Sequence, residues 1–329
     1  MKRLPLILLL IINTSILIAQ KSESFTYKID GTLKNKYEYS TDTKTSRFTV
    51  RNSRIGVTGD VNKFTSYRTQ VELSDEGQFK VLDLSATLHP IEGLDITLGQ
   101  TAIPLFNSYV VSPAKMIFAN RTFLAKYYLS TRDIGINAKY SALLGVVPVK
   151  LEMGVYNGNA INDPVWKDRL SFGSRLEIGN MEGLRFTAKF YDYQNEPIAN
   201  NMFYGADLRY EKGPLIIESE IMKKDDRTDI NKDLISGYLQ SSYKIPIKKE
   251  MFNYILPAIR WDAIDEYNDD TLDVSRLTLG FGLGNMGERF STIIRFDYEW
   301  YFVNNELSIF NKNEQMDSDK FTMELLITF

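Results

Sequence analysis

The sequence predicts an all-β fold, a transmembrane antiparallel β-barrel of about 16 strands with one inward-folded constriction loop. Three observations lead there. Apolar and polar residues alternate with period two along the chain, no segment after residue 20 is long and apolar enough for a membrane helix, and the connections alternate between short and long. A chain that spans a bilayer without helices must close its sheet, because lipid offers no partner to unpaired backbone groups.

The last segment carries the clearest strand signature. In FTMELLITF, Phe321, Met323, Leu325, Ile327 and Phe329 are all large and apolar, and their alternates include Thr322, Glu324 and Thr328. Successive side chains of a strand point to opposite faces, so this pattern sorts one face from the other, as a helix would not. The same sorting holds from Phe290 to Phe302, where Phe296, Tyr298 and Trp300 alternate with Arg295, Asp297 and Glu299. Carried backwards, the template gives further strands near 274–285, 252–263, 234–245, 214–225, 201–213, 184–194 and 169–179. It continues through 149–158, 132–141, 94–102, 79–90, 64–75, 47–61 and 25–40.

Short connections fall at 60–63, 89–93, 179–183, 211–213 and 285–289, and longer polar ones at 157–168, 223–233 and 304–319. That asymmetry is the mark of a barrel with turns at one rim and loops at the other. One connection differs. From Ala102 to Leu129 the chain reads AIPLFNSYVVSPAKMIFANRTFLAKYYL, too apolar for a solvated loop. Long irregular segments in compact domains are commonly functional, and this one is expected to fold into the lumen and narrow it. A cap on the barrel, or a contact with a neighbouring subunit, is the other use such a segment finds.

The first twenty residues, MKRLPLILLLIINTSILIAQ, join a basic start to a short apolar core and a small residue near the end, the pattern of a secretory signal cleaved near Ala19–Gln20. Residues 21–329 then form one barrel domain. The net charge of −3, from 39 basic and 42 acidic side chains, gives no overall basic excess for nucleic acid, and the absence of cysteine excludes disulfides and thiolate chemistry. No cofactor or metal is expected.

With the apolar member of each pair facing lipid, about 20 charged or polar side chains turn inward, among them Arg68, Glu72, Asp83, Arg175, Arg260 and Asp297. Their number calls for a wet lumen, since each buried charge costs several kcal/mol unless paired. In the second strand Phe48 and Val50 share one phase while Ile55 and Val57 take the other, which a β-bulge reconciles. On the later phase Arg54 points inward and Arg51 does not.

Enzymatic chemistry is not expected. The only histidine, His89, precedes Pro90 in what reads as a short turn, a poor place for a general base. GFGLGN at 280–285 lacks the spacing of a dinucleotide fingerprint, and its glycines suit a strand that makes room for lumen side chains. The acid pairs Asp225/Asp226 and Asp269/Asp270 lack the spacing of a calcium loop and read as solvated surface.

Several stretches resemble the phosphate-selective porin O and P family of Gram-negative outer membranes: FTVRNSRIGVTGDV at 48–61, LDITLGQTAIPL at 94–105, STRDIGINAKY at 130–140 and VYNGNAINDP at 155–164. The resemblance covers about residues 25–180 and implies a trimeric porin of the cell outer membrane with basic residues along an anion path. It departs from the pattern where Asn52 follows Arg51 in place of a second arginine. The expected eyelet sets Lys115 and Arg121 on the long loop against Arg54, Arg68 and Arg175 on the wall, arginine being suited to anions through its planar fork. The expected partners are outer-membrane lipid, the barrel-assembly machinery through Phe329, and small anionic or hydrophilic solutes that diffuse passively. A non-conducting barrel serving as adhesin or assembly scaffold, plugged by the same loop, is the other reading.

Overall fold

The computed structural model describes residues 25–329 except 162, 181, 196–198, 230–232, 267–270, 288–289 and 308–317. The expected signal segment, the pair Asp269/Asp270 and parts of the 223–233 and 304–319 connections lie outside the described residues.

Sixteen long strands follow one another. They are β1 (Lys28–Ser40), β2 (Thr45–Asn62), β3 (Thr65–Asp75), β4 (Gln78–Ile91), β5 (Leu94–Ala102), β6 (Arg132–Leu144), β7 (Val147–Tyr156) and β8 (Ser171–Gly179). Then come β9 (Gly183–Asn195), β10 (Ala199–Lys212), β11 (Leu215–Asp226), β12 (Leu234–Tyr243), β13 (Tyr254–Asp265), β14 (Val274–Met286), β15 (Ser291–Val303) and β16 (Lys320–Thr328). Ile245–Pro246 extends the β12 pairing onto Ile255 and Tyr254. Each strand pairs antiparallel with the next, and β1 pairs with β16 from Thr32↔Thr328 to Ser40↔Lys320, which closes the barrel. Beyond that ladder Gly31 and Phe329 exchange both backbone hydrogen bonds, so the terminal phenylalanine belongs to the seam.

The alternation read from the sequence sets the faces. Phe290 and Phe302 are exposed on the outside, while Arg295, Asp297 and Glu299 between them are turned inward and buried. At one rim the turns are tight, two residues joining β2 to β3, β4 to β5, β6 to β7 and β10 to β11. The opposite rim carries the long connections, with exceptions. β3 reaches β4 there through Glu76–Gly77 alone, both at positive φ, as a two-residue hairpin of the strand-matched hand requires. In the turn rim, residues 244–253 make one longer link.

A bulge in β2 shifts its register against both neighbours, with Asn52 at φ 58°. The phase change in the sequence announces the bulge but not its effect on Arg51. One inserted residue brings Arg51 and Arg54 to the same side, and both line the lumen, which corrects the outward placement of Arg51.

Candidate functional site

The connection from β5 to β6 enters the barrel. It contains two short helices, α1 (Ser108–Val111) and α2 (Phe123–Tyr127), each with a side-chain cap: Asn107 accepts from the Tyr109 amide and Thr122 from the Ala125 amide. The apolar residues that set this segment apart in the sequence pack against inward apolar residues of the wall. Leu105, Phe106, Phe123, Leu124 and Tyr128 share a core with Tyr156, Tyr191, Phe203, Met222, Ile264 and Val274 from β7, β9, β10, β11, β13 and β14. The rule that apolar members face lipid fails at these wall positions, because the loop supplies the apolar partner that water would not.

The loop backbone is irregular, so its carbonyls and amides need partners other than a ladder. Wall side chains supply them. Arg295 donates to Met116 O at 2.6 Å, Lys34 to Ala119 O at 2.7 Å, Arg260 to Asn120 O at 2.9 Å and Arg276 to Arg121 O at 2.8 Å. In the other direction the Ala119 amide donates to Asp297 at 2.7 Å and the Phe123 amide to Asp262 at 3.0 Å. Gly280 leaves the space that the Phe118 ring takes up. The loop is thereby fixed to the β13–β16 side and β1.

Much of this wall is dry, contrary to the expectation of a uniformly wet lumen. Arg276 bridges Asp262 at 2.7 Å and Glu299 at 2.9 Å, Glu324 takes Lys34 at 2.9 Å and Arg295 at 3.0 Å, and Arg209 meets Glu218 at 2.6 Å, all nearly inaccessible. Pairing, rather than hydration, offsets their desolvation.

Beside the loop, chambers lie between it and the wall. The one towards the loop rim has a volume of about 360 Å³ and is lined by eight basic and two acidic side chains, with Arg51, Arg121 and Lys126 among the cations. The one towards the turn rim, about 450 Å³, is lined by five basic and three acidic side chains. Four of the five residues expected at the eyelet, Lys115, Arg54, Arg68 and Arg175, line this second chamber, and Arg121 lines the first. The wall members are partnered: Arg54 with Glu72 at 3.2 Å, Arg175 with Glu152 at 2.9 Å, and Arg68 with Asp30 and, at 2.7 Å, Thr58. The loop members differ. Lys115 lies over the Tyr109 ring and Arg121 donates to Val111 O, and neither has a carboxylate partner among the described residues. Burial, with Arg185 and Arg209 nearby, holds the Lys115 ammonium below the ordinary lysine range. Burial and the neighbouring Arg54 and Arg51 act the same way on Arg121.

Sequence reasoning missed Arg51, Lys36 and Arg132. Arg132 pairs with Asp83 at 2.6 Å beside Gln70, and Lys36 holds Asn120 at 2.8 Å. Alternation marks Lys36 as inward, but only the folded loop gives it a role. The sequence also misplaces His89. It lies within β4, not in the turn, and its ring points inward between Ser66 and Asp95. Asp225, read as solvated surface, pairs with Lys223, and Asp226 caps the turn at Thr228 and Asp229.

Sixteen antiparallel strands closed first to last, with one long connection folded inside, define the fold of porin-type outer-membrane barrels. Among solved structures the chain is similar to the anion-selective porin from Comamonas acidovorans, with a TM-score of 0.63 at 11% identity over 92% of this chain and 99% of that one. It is similar to Salmonella typhi OmpF in complex with daunomycin, with a TM-score of 0.63 at 12% identity over 92% and 97%. The trimer form of OmpT, an outer membrane protein of Vibrio cholerae, aligns with a TM-score of 0.61 at 13% identity over 93% and 100%. No protein-family model and no curated protein sequence matches the chain.

Proposed function

We propose that the chain is a porin of the Gram-negative outer membrane, a passive channel for small hydrophilic solutes with a preference for anions, and not an enzyme in this role. The observation that carries the preference is the charge along the free passage, eight basic against two acidic side chains in the outer chamber and five against three in the inner one. An excess of one sign of charge on low-dielectric walls concentrates the counter-ion. Lys115 and Arg121, the loop cations without a carboxylate partner among the described residues, act in succession, Arg121 in the outer chamber and Lys115 in the inner one with Arg54, Arg68 and Arg175. Phosphate falls within this preference as one anion among several. The neighbour captured as a trimer and the exposed apolar outer wall support a homotrimer in lipid, exported by residues 1–20 and delivered to the assembly machinery through Phe329.

The test is the zero-current potential of the purified protein in a planar bilayer across a potassium chloride gradient. Chloride preferred over potassium is expected, and Lys115→Glu with Arg121→Glu should reverse or abolish the preference at similar conductance. Potassium preferred by the native protein would overturn the anion reading. A folded, inserted protein that never conducts would overturn the porin reading and favour the plugged scaffold, for which the pinned loop would be the plug.

A further inference from the structure

Ser66, His89 and Asp95 stand on three consecutive strands, β3, β4 and β5, Ser66 beside the tight turn from β2 to β3 and the other two beside the turn from β4 to β5. All three face the lumen at the turn-rim mouth. Ser66 is in phase with Arg68 and Gln70, His89 with Asp83, and Asp95 meets Lys139 across the β5–β6 pair. Nε2 of His89 is 2.8 Å from Ser66 Oγ, and Nδ1 is 2.8 Å from Asp95 Oδ1. A carboxylate can only accept, so its contact with Nδ1 keeps the imidazole proton there and leaves the Nε2 lone pair to the serine hydroxyl. Lys139 Nζ, 2.7 Å from Asp95 Oδ2, holds the other carboxylate oxygen and fixes the carboxylate plane. His89 and Asp95 are each about one-third exposed, open to solutes in the mouth.

We infer that Ser66 is an activated nucleophile, a site of covalent acylation by small activated esters, distinct from the permeation path's anion preference. In the step, Oγ attacks the ester carbonyl while its proton passes to His89 Nε2. The Oγ–C bond forms, the bond from carbonyl carbon to the leaving oxygen breaks, and the leaving oxygen takes the proton back from Nε2. Water can later reverse the sequence and free the acid. His89 acts as general base, and Asp95 is a positioning residue that holds the tautomer. Position alone limits the rate. Ser66 lies in ladder register with Asp60 and Thr87, so the strands around it present no preorganised pair of amides to a developing oxyanion. One missing oxyanion donor typically costs about 10²–10³ in rate, which restricts the site to esters with good leaving groups and to labelling rather than rapid turnover.

The experiment incubates the folded, full-length barrel in detergent with p-nitrophenyl acetate at mildly alkaline pH and maps acetyl groups by peptide mass spectrometry. Acetyl on Ser66 is expected, absent in Ser66→Ala and slowed about 100-fold in His89→Gln, since a positioned base typically contributes about 10²–10⁴. His89→Gln can keep both hydrogen-bonding roles but cannot act as the base, so a merely structural stitch would leave the labelling unchanged. Asp95→Asn serves as a second variant and should slow labelling at least about tenfold through the wrong tautomer. Retention of the heat-modifiable gel shift and of conductance identifies folded variants. Folded native protein that carries no acetyl on Ser66, acetyl confined to lysines, or equal labelling rates in the folded variants would each overturn the inference.

Discussion

Gly280 illustrates how single residues position the passage. A Cβ there would stand 2.8 Å from Phe118 and 2.8 Å from the Asp297 carboxylate, closer than real side chains approach. Gly280→Val should therefore push Phe118 from its seat and loosen the Ala119 anchor beside it. Single-channel recordings are expected to show larger and noisier steps, and denaturant unfolding a loss of about 1–3 kcal/mol from overpacking. Unchanged current and stability would count against this seat. The alternation of glycines with Phe281 and Leu283 announces that the strand makes room for something. It does not announce what, because Phe118 lies far away in sequence. Arg51 is a second case. The phase change in β2 makes the bulge legible, but which residue absorbs it decides where Arg51 points, and that depends on the pairing with β1 and β3.

At the scale of an element, the inner loop is legible by its composition and opaque in its placement. Its apolar run identifies a segment that cannot sit in water. The side of the barrel it takes follows from contacts with Lys34, Asp262, Arg276, Arg295 and Asp297, none of them local, and from wall positions such as Tyr191 and Phe203 that become apolar only to receive it. Replacing residues 104–130 by a short Gly-Ser linker should enlarge the unit conductance several-fold and flatten ion preference. The wall would then keep paired charges such as Arg54–Glu72 and lose Lys115 and Arg121. The same deletion exposes the apolar wall and strips partners from the anchoring cations, so a lower midpoint in urea is expected as well. A conductance unchanged by the deletion would mean that the loop does not bound the passage.

The whole molecule was the most legible level. Period-two patterning alone marks all sixteen strands to within a few residues, since a sheet that faces lipid on one side and the lumen on the other must alternate throughout. What the pattern could not supply is the state of the lumen, where buried ion pairs stand beside open chambers. Removing Met323–Phe329 takes away most of the β16 pairs with both β15 and β1. The truncated chain is expected to lose the heat-modifiable, detergent-resistant form on gels, and normal assembly without these residues would argue against a closed barrel.

The seam between β1 and β16 also has a consequence for assembly. Every other pairing is a hairpin between neighbours in the chain, whereas Thr32 must find Thr328 from the opposite end of the molecule. Until that encounter the nascent sheet carries two bare edges, each a template for any strand that presents itself. An edge cannot distinguish its own β16 from that of another copy, so two crowded, unfinished chains can stitch into one oversized ring, while dilution leaves each edge only its own partner.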